Sequence, residues 1–483
     1  MFKYKNKKIA VWVGMLMAIL TSGGCKKLVE ASAPITSVNG SNVFASDATA
    51  ASTLTGIYTK MSTDDASNSG FTSISIYSSL SADELSLYSG VSLQGIVSFY
   101  KNQLNNQTTP NYWTTIYPVV YQANAGITGL SSASSLTPGV RQQLLGEAKF
   151  MRAFCYFYLA NFYGDVPLVT TTDYKANSLL SRAPQANVYK QIISDLSDAE
   201  GLLSTSYLQA DALTPYATTA EQRVRPTKWA AAALLARTYL YTGNWDSAEL
   251  QATTVLNNSS EFSLTGLDSA FLKNSKEAIW QLQPVLSGAN SNTGEGGFFI
   301  LPATGPSSSY PAYLSSNILN SFETGDQRKV HWMKTVTPSP GTTTYYYPYK
   351  YKVGYTTTSV QEYVMMLRLS ELYLVRAEAR SQQNNISGAQ ADLNVVRSRA
   401  KLSNTTAGDK ASLLTAILQE RRVELFTEWG NRWLDLKRSG TIDATMGPAC
   451  TQKGGSWDTR WQWYPLPLTD IQYGINLTQN GGY

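Results

Sequence analysis

One histidine, His331, occurs in 483 residues. Ser/His/Asp and Cys/His nucleophile systems therefore have a single imidazole to draw on, and a multi-histidine metal site cannot be built. Cysteine is almost as scarce. Cys25, Cys155 and Cys450 lie far apart, so there is no CxxC pair and little basis for redox chemistry or a thiolate zinc site. GxSxG, Walker A and EF-hand patterns do not occur. Carboxylate pairs of the glycosidase type converge in space and not along the chain, so none is nominated. The sequence thus implies no cofactor, no metal and no catalytic residue, and His331, beside Trp332, reads as a surface or packing residue.

Charge of one sign is lacking too. The 39 Lys and Arg exceed the 34 Asp and Glu, but Lys3, Lys5, Lys7 and Lys8 account for most of the excess. With residues 1–24 removed, 35 basic residues face 34 acidic ones, and nucleic-acid binding loses its main electrostatic support. Long apolar runs are limited to residues 9–20, shorter than the roughly 20 residues a spanning helix needs.

That run, its lysines and the small residues Ser22, Gly23 and Gly24 before Cys25 form a signal peptide over residues 1–24. Small residues before a cysteine give the bacterial lipoprotein pattern, with diacylglyceryl attached to Cys25; Ser22 stands where the usual lipobox has Leu. Residues 25–46, small and polar with Pro34 and Gly40, read as a flexible tether. The remaining residues 47–483 are enough for a large core. Cys155 and Cys450 are expected as buried thiols rather than a disulfide.

Helical periodicity dominates two long stretches. Asp47 is a plausible N-cap for a helix carrying Leu54, Ile57, Tyr58 and Met61. In 141–163, Leu144, Ala148, Met151, Cys155, Tyr158 and Phe162 recur at steps of four and three, and Gly164 supplies a stop. A unit starting at Pro226 runs through Trp229, Ala233 and Ala236 to Tyr241, turns at Gly243-Asn244 and continues with Trp245, Ala248, Ala252 and Leu256. Two antiparallel helices with alanines at the contact look like a tetratricopeptide unit. Helices over 367–380, 389–400 and 413–429 repeat the design, which implies a superhelical array. The charge cluster Glu420, Arg421, Arg422, Glu424, Arg432, Asp435, Lys437 and Arg438 reads as ion pairs locking helices together.

Between about residues 261 and 360, Gly, Ser, Thr, Pro and Tyr displace the stripes, and aromatics are dense: Phe298, Phe299, Tyr310, Tyr313, Trp332, Tyr345, Tyr346, Tyr347, Tyr349 and Tyr351. Such a region suits a ligand surface. Around Tyr345 it equally suits a hairpin whose tyrosines cover a core.

The blocks EAKFMRAFCYFYLANFYGDVPL (147–168), RPTKWAAAALLARTYLYTGNWDSA (225–248), LRLSELYLVRAEA (367–379), LNVVRSRA (393–400), ERRVELFTEWGNRWLDLKR (420–438) and WYPLP…LTQNGGY (463–483) together resemble the SusD/RagB family of nutrient-binding outer-membrane lipoproteins of Bacteroidetes. The resemblance implies a mostly α, SusD-like fold: tetratricopeptide-like helix pairs as scaffold, mainly in 47–260 and 361–440, and a loop-rich, partly β variable region over about 261–360. It further implies a protein that is not an enzyme, is lipid-anchored in the outer membrane facing outward, binds a nutrient, most simply an oligosaccharide, and delivers it to a SusC-like TonB-dependent transporter. The alternatives are a peptide-binding RagB-like member, a repeat scaffold without a small ligand, or a surface glycosidase. Lys26, Lys27, Leu28 and Val29 precede the first acid, Glu30, so outward presentation rests on the family and not on this signal. Family sites combine stacking aromatics with polar groups, which makes Asp83, Glu84 and Tyr88 near the N-terminus and Tyr310, Tyr313, Trp332 and Tyr345 in the middle the ligand candidates. Trp113, in a helical block, is expected in the core.

Overall fold

The computed structural model describes residues 42–63, 73–107, 112–356 and 359–483. The expected signal peptide, Cys25 and the tether up to residue 41 lie outside them. Among the described residues there are thirteen helices of eight residues or more: α1 (Asp47–Thr63), α2 (Ile74–Ser81), α3 (Gln94–Lys101), α4 (Trp113–Ser132), α5 (Pro138–Tyr163), α6 (Gln185–Leu202), α7 (Lys228–Tyr241), α8 (Trp245–Leu256), α9 (Leu369–Gln382), α10 (Ile386–Arg399), α11 (Lys410–Glu424), α12 (Asn431–Arg438) and α13 (Ile442–Gln452). The six short strands among the described residues, β1 (Leu85–Leu87), β2 (Ala278–Leu282), β3 (Ala312–Leu314), β4 (Met333–Val336), β5 (Tyr345–Pro348) and β6 (Val364–Arg368), pair in twos: β1 with β3, β2 with β6 and β4 with β5, all antiparallel. No helix among the described residues is long and apolar enough to cross a membrane.

The scaffold is a row in which α4, α5, α6, α7, α8, α9 and α10 each pack on the next. At its centre α5 is buried on every side from Phe150 to Tyr163, as a helix apolar all round must be. The predicted stripe is all core, and Gly164, at φ 74°, ends the helix in a conformation a Cβ would resist. Two of the helix pairs turn by the same chemistry. Gly243 (φ 72°) precedes Asn244, whose side chain accepts from the Ser247 amide; Asn384 (φ 60°) precedes Asn385, which accepts from Gly388 at 3.0 Å. Helices α8 and α9 are 112 residues apart in sequence but adjacent in space, tied by Arg380 to Glu249 at 2.7 Å and Arg376 to Thr253 Oγ1 at 3.2 Å.

Some boundaries differ from expectation for identifiable reasons. Ser46, not Asp47, caps α1, accepting from the Thr49 amide at 3.3 Å; Asp47 instead accepts from the Thr137 amide at 2.9 Å and ties α1 to the start of α5. Helix α7 begins at Lys228, two residues after Pro226, and Leu367 and Arg368 belong to β6. The helix expected over 413–429 stops at Glu424, because Thr427, Trp429 and Gly430 all adopt left-handed φ. That reversal drives the Trp429 indole into the core, where it donates to the Met365 carbonyl and packs on Phe154 and Tyr158. Cys155 and Cys450 are free, buried thiols.

The C-terminal charges pair as expected, and their partners come from across the chain. Arg368 reaches Glu277, Glu424 and Glu428; Arg328 reaches Asp326, Glu420 and Glu424; Arg421 and Arg438 share Asp435, and Arg438 also holds Glu378. Burial alone would raise the Glu424 carboxyl, but Arg399, Arg368 and Arg328 outweigh it and hold it well below the usual range.

Candidate ligand-binding site

Strand β1 has three residues and no stability of its own; β3 holds it in register. Leu85 lies opposite Leu314, Ser86 opposite Tyr313 and Leu87 opposite Ala312. The ladder continues at both ends, with the Tyr88 amide donating to the Pro311 carbonyl at 2.7 Å and the Ser315 amide to the Glu84 carbonyl at 2.9 Å. Side chains alternate across a strand. Leu85, Ala312 and Leu314 are buried, and the Ser86–Tyr313 pair is left half-exposed.

The outward side becomes aromatic. Tyr345, at the start of β5, meets Tyr313 edge-on with ring centroids 5.0 Å apart. The hydroxyls of Tyr313 and Tyr100, the latter near the end of α3, both lie close to Ser86. Burial pushes both phenols up, so they stay protonated and serve as donors and acceptors. Tyr88 and Tyr310 flank this group at the joined strand ends, and the 307–310 turn is tied down by Ser308 Oγ donating to the Gly90 carbonyl. Tyr313 and Tyr345 are thus brought together on one half-exposed face, and Tyr88 and Tyr310, also half-exposed, lie at the joined ends of β1 and β3. The β4–β5 hairpin expected as the plainer alternative also exists: Tyr347 is buried, and Tyr345 and Tyr346 are not.

Three of the predicted residues do not join this face. Asp83 is buried and gripped by Arg422 and Arg432, each at 2.7 Å; burial raises its carboxyl, but the arginines more than offset that and lower it. Glu84 is also buried, facing the Thr427 amide at 3.3 Å, and burial pushes it up to about 7. Both anchor β1 to the C-terminal helices from beneath and offer no ring or hydroxyl to solvent. Trp332 is 0% exposed. Its indole donates to the Leu267 carbonyl, Phe271 packs edge-on, and Lys350, Arg399 and Arg368 lie 4.8, 5.3 and 5.7 Å from its ring centre, so its faces are occupied by the protein itself. His331 pairs with Asp268 at the surface.

Sequence reasoning missed Ser86 and Tyr100. Tyr100 follows buried Phe99 in a short helix, and nothing local separates the two; only the β1–β3 ladder reveals which ring is outside. What the face offers is apolar ring area with hydroxyls around it, suited to a pyranose whose C–H face is apolar and whose rim needs hydrogen bonds.

A family model described as starch-binding and associating with the outer membrane matches residues 36–240, and the SusD family model matches residues 321–483. The chain belongs to the SusD/RagB family. It is 25% identical to SusD-like protein P2 of Formosa agariphila, over 98% of this chain and 99% of that one. It is 33% identical to the starch-binding protein SusD of Bacteroides thetaiotaomicron over 125 residues, 25% of this chain and 21% of that one. Its fold matches a laminarin-binding SusD-like protein with a TM-score of 0.73 at 24% identity, over 90% of this chain and 99% of that structure. The mostly helical SusD fold is thereby established, and family members are binding proteins associated with the outer membrane.

Proposed function

We propose that this SusD-like protein is anchored to the outer membrane through lipid on Cys25, captures an oligosaccharide outside the cell and passes it to a SusC-like TonB-dependent transporter. The observation that carries the binding step is the pairing of half-exposed Tyr313 and Tyr345 on the face built by β1, β3 and β5, opposite Ser86 and with Tyr88 and Tyr310 at the adjoining strand ends. The starch-binding and laminarin-binding relatives support a glucan as the ligand. With no spanning helix among the described residues, a tethered helical protein needs another protein to supply the pore.

Affinity electrophoresis through gels containing starch or laminarin tests the binding step. Wild type is retarded by one of the glucans, and Tyr313→Ala and Tyr345→Ala migrate freely. Alanine variants at Tyr88, Tyr310, Tyr313 and Tyr345 that fold and are retarded like wild type would refute this placement. For the anchor, Cys25→Ser releases the protein from membranes and abolishes fatty-acid labelling. For the partner, mild-detergent purification of the tagged protein recovers a large β-barrel protein in near-equal amount; recovery of this chain alone counts against delivery to a transporter.

A further inference from the structure

A second concave surface shares no residue with the aromatic face. It is a groove of about 600 Å³ between α4, the segment 167–180 and the helical turn Leu468–Tyr473, within the roughly 300–1,000 Å³ range of small-molecule sites. On α4, Thr114, Tyr117, Pro118 and Tyr121 follow at steps of three, one and three, so they form one stripe along the helix. A stripe of that composition normally meets another helix. Here it lines the groove, and Tyr121 is 54% exposed. Across the groove stands Tyr473, 83% exposed, next to half-buried Asp470.

The walls are built and held. The Tyr117 hydroxyl donates to the Pro167 carbonyl at 2.8 Å. Tyr156 Oη donates to the Val169 carbonyl at 2.8 Å and accepts from the Val169 amide at 2.6 Å, and Asn124 adds a bond to the same carbonyl. Asn476 Nδ2 donates to the Leu179 carbonyl at 2.7 Å, stitching the C-terminal wall to the 167–180 wall. Trp113 Nε1 donates to Asp470 Oδ1 at 3.2 Å and fixes that carboxylate in the groove wall; among the described residues Oδ2 has a single 3.4 Å contact, from Thr469 Oγ1, and a carboxylate oxygen can accept more than one bond.

Two exposed tyrosine rings, an oriented carboxylate and the hydroxyls of Ser178 and Thr469 on one preformed groove are the features of a carbohydrate subsite. A purely apolar docking face would have no use for a carboxylate fixed in its wall. We propose that this groove is a second carbohydrate-binding site, with Tyr121 and Tyr473 as the stacking rings and Asp470 as the acceptor for sugar hydroxyls. The inference rests on the reading of the protein as a glycan binder. A chain with two sites would hold one polymer at two points or recruit it at one and present it at the other, raising avidity without any new contact.

The test is calorimetric titration of the lipid-free protein with maltoheptaose and laminariheptaose. Four forms are compared: wild type, Tyr313→Ala/Tyr345→Ala, Tyr121→Ala/Tyr473→Ala and the quadruple variant. Tyr121 and Tyr473 are exposed, so their removal leaves the melting curve unchanged. Wild type binds two equivalents of one sugar, each double variant retains one wild-type equivalent with the other weakened at least about fivefold, and the quadruple variant is weakened at both. If Tyr121→Ala/Tyr473→Ala binds with wild-type stoichiometry and affinity while the face double variant does not bind, the groove is not a sugar site and the function stands. Binding retained by the face double variant and lost in the groove double variant upholds the groove and relocates the main site. Failure of wild type to bind either sugar overturns both.

Discussion

Two aromatic clusters of almost the same composition meet opposite fates. In the core, Phe162 stacks on Tyr464 at 5.0 Å with rings 4° from parallel and on Tyr112 at 5.2 Å, and Tyr77 stacks on Phe99 at 4.6 Å. Their hydroxyls are satisfied inside: Tyr112 donates to the Ser73 carbonyl, Tyr464 to Ser81 Oγ, and Tyr163 Oη accepts from the Tyr112 and Trp113 amides. On the β1–β3–β5 face, Tyr313 and Tyr345 meet edge-on and stay half-exposed. Ring count does not distinguish a packing cluster from a binding one. Whether protein already covers the ring faces does.

The sharpest way to break that distinction is to truncate rings in each cluster. Phe162→Ala and Trp332→Ala each empty a fully enclosed position and should cost about 3–5 kcal/mol of stability in urea unfolding, with glycan affinity of the folded fraction unchanged. Lost affinity at normal stability in Trp332→Ala would return that residue to the ligand surface. Tyr313→Ala is the mirror image. It should lose about 1–3 kcal/mol of binding, roughly 5- to 150-fold by calorimetry, with little change in melting.

The next effect is smaller and depends on pH. Glu84, beneath the face, and buried Glu295, beside Tyr351 and Lys350, are pushed up to about 7, chiefly by burial. A carboxyl raised in the folded state binds more protons there than in the unfolded chain between about pH 4.5 and 7, so stability falls as pH rises through that window. Glu84→Gln should therefore match wild type near pH 4.5 and exceed it by about 1–2 kcal/mol at pH 8. Equal unfolding midpoints at pH 8 would mean that Glu84 ionises without cost. Smallest of all, Tyr345→Phe keeps the ring and loses one hydroxyl, so affinity should drop by less than about fivefold; a larger loss in calorimetry would make its hydroxyl, rather than its ring, the main contact.

What was legible in the sequence follows from the range of the forces involved. The stripe from Leu144 to Phe162 and the Gly243-Asn244 turn are local, set by a 3.6-residue period and by one or two backbone conformations, and both appear where expected. The β1–β3 ladder joins residues 225 to 229 apart through three residue pairs, and no short pattern encodes it. Trp332 reads as a ligand candidate because it lies in the aromatic, loop-rich middle of the chain; the cations that enclose it come from Lys350, Arg368 and Arg399, elements that converge only when the fold closes. Asp83 was placed near the ligand on family position, and the two arginines that claim it lie more than 300 residues downstream. Trp113 is buried as expected, yet it also lines the groove, because one helix can feed the core and a cleft from adjacent faces.

Helices α8 and α9 touch as sequential neighbours would, though the whole segment 257–368 is spliced between them. The contacts of Glu249 and Thr253 with Arg380 and Arg376 hold the two ends of that segment at a fixed separation. The intervening stretch is therefore an insertion whose two ends are fixed by the frame. Its length adds only a slowly growing closure cost, since each doubling of a loop adds about 0.6 kcal/mol. The frame thus fixes where the segment leaves and rejoins the scaffold, while β2, β6 and the ion pairs of Arg328 and Arg368 stitch its interior into the same core, so its solvent-facing turns are the parts that can change length without disturbing the frame.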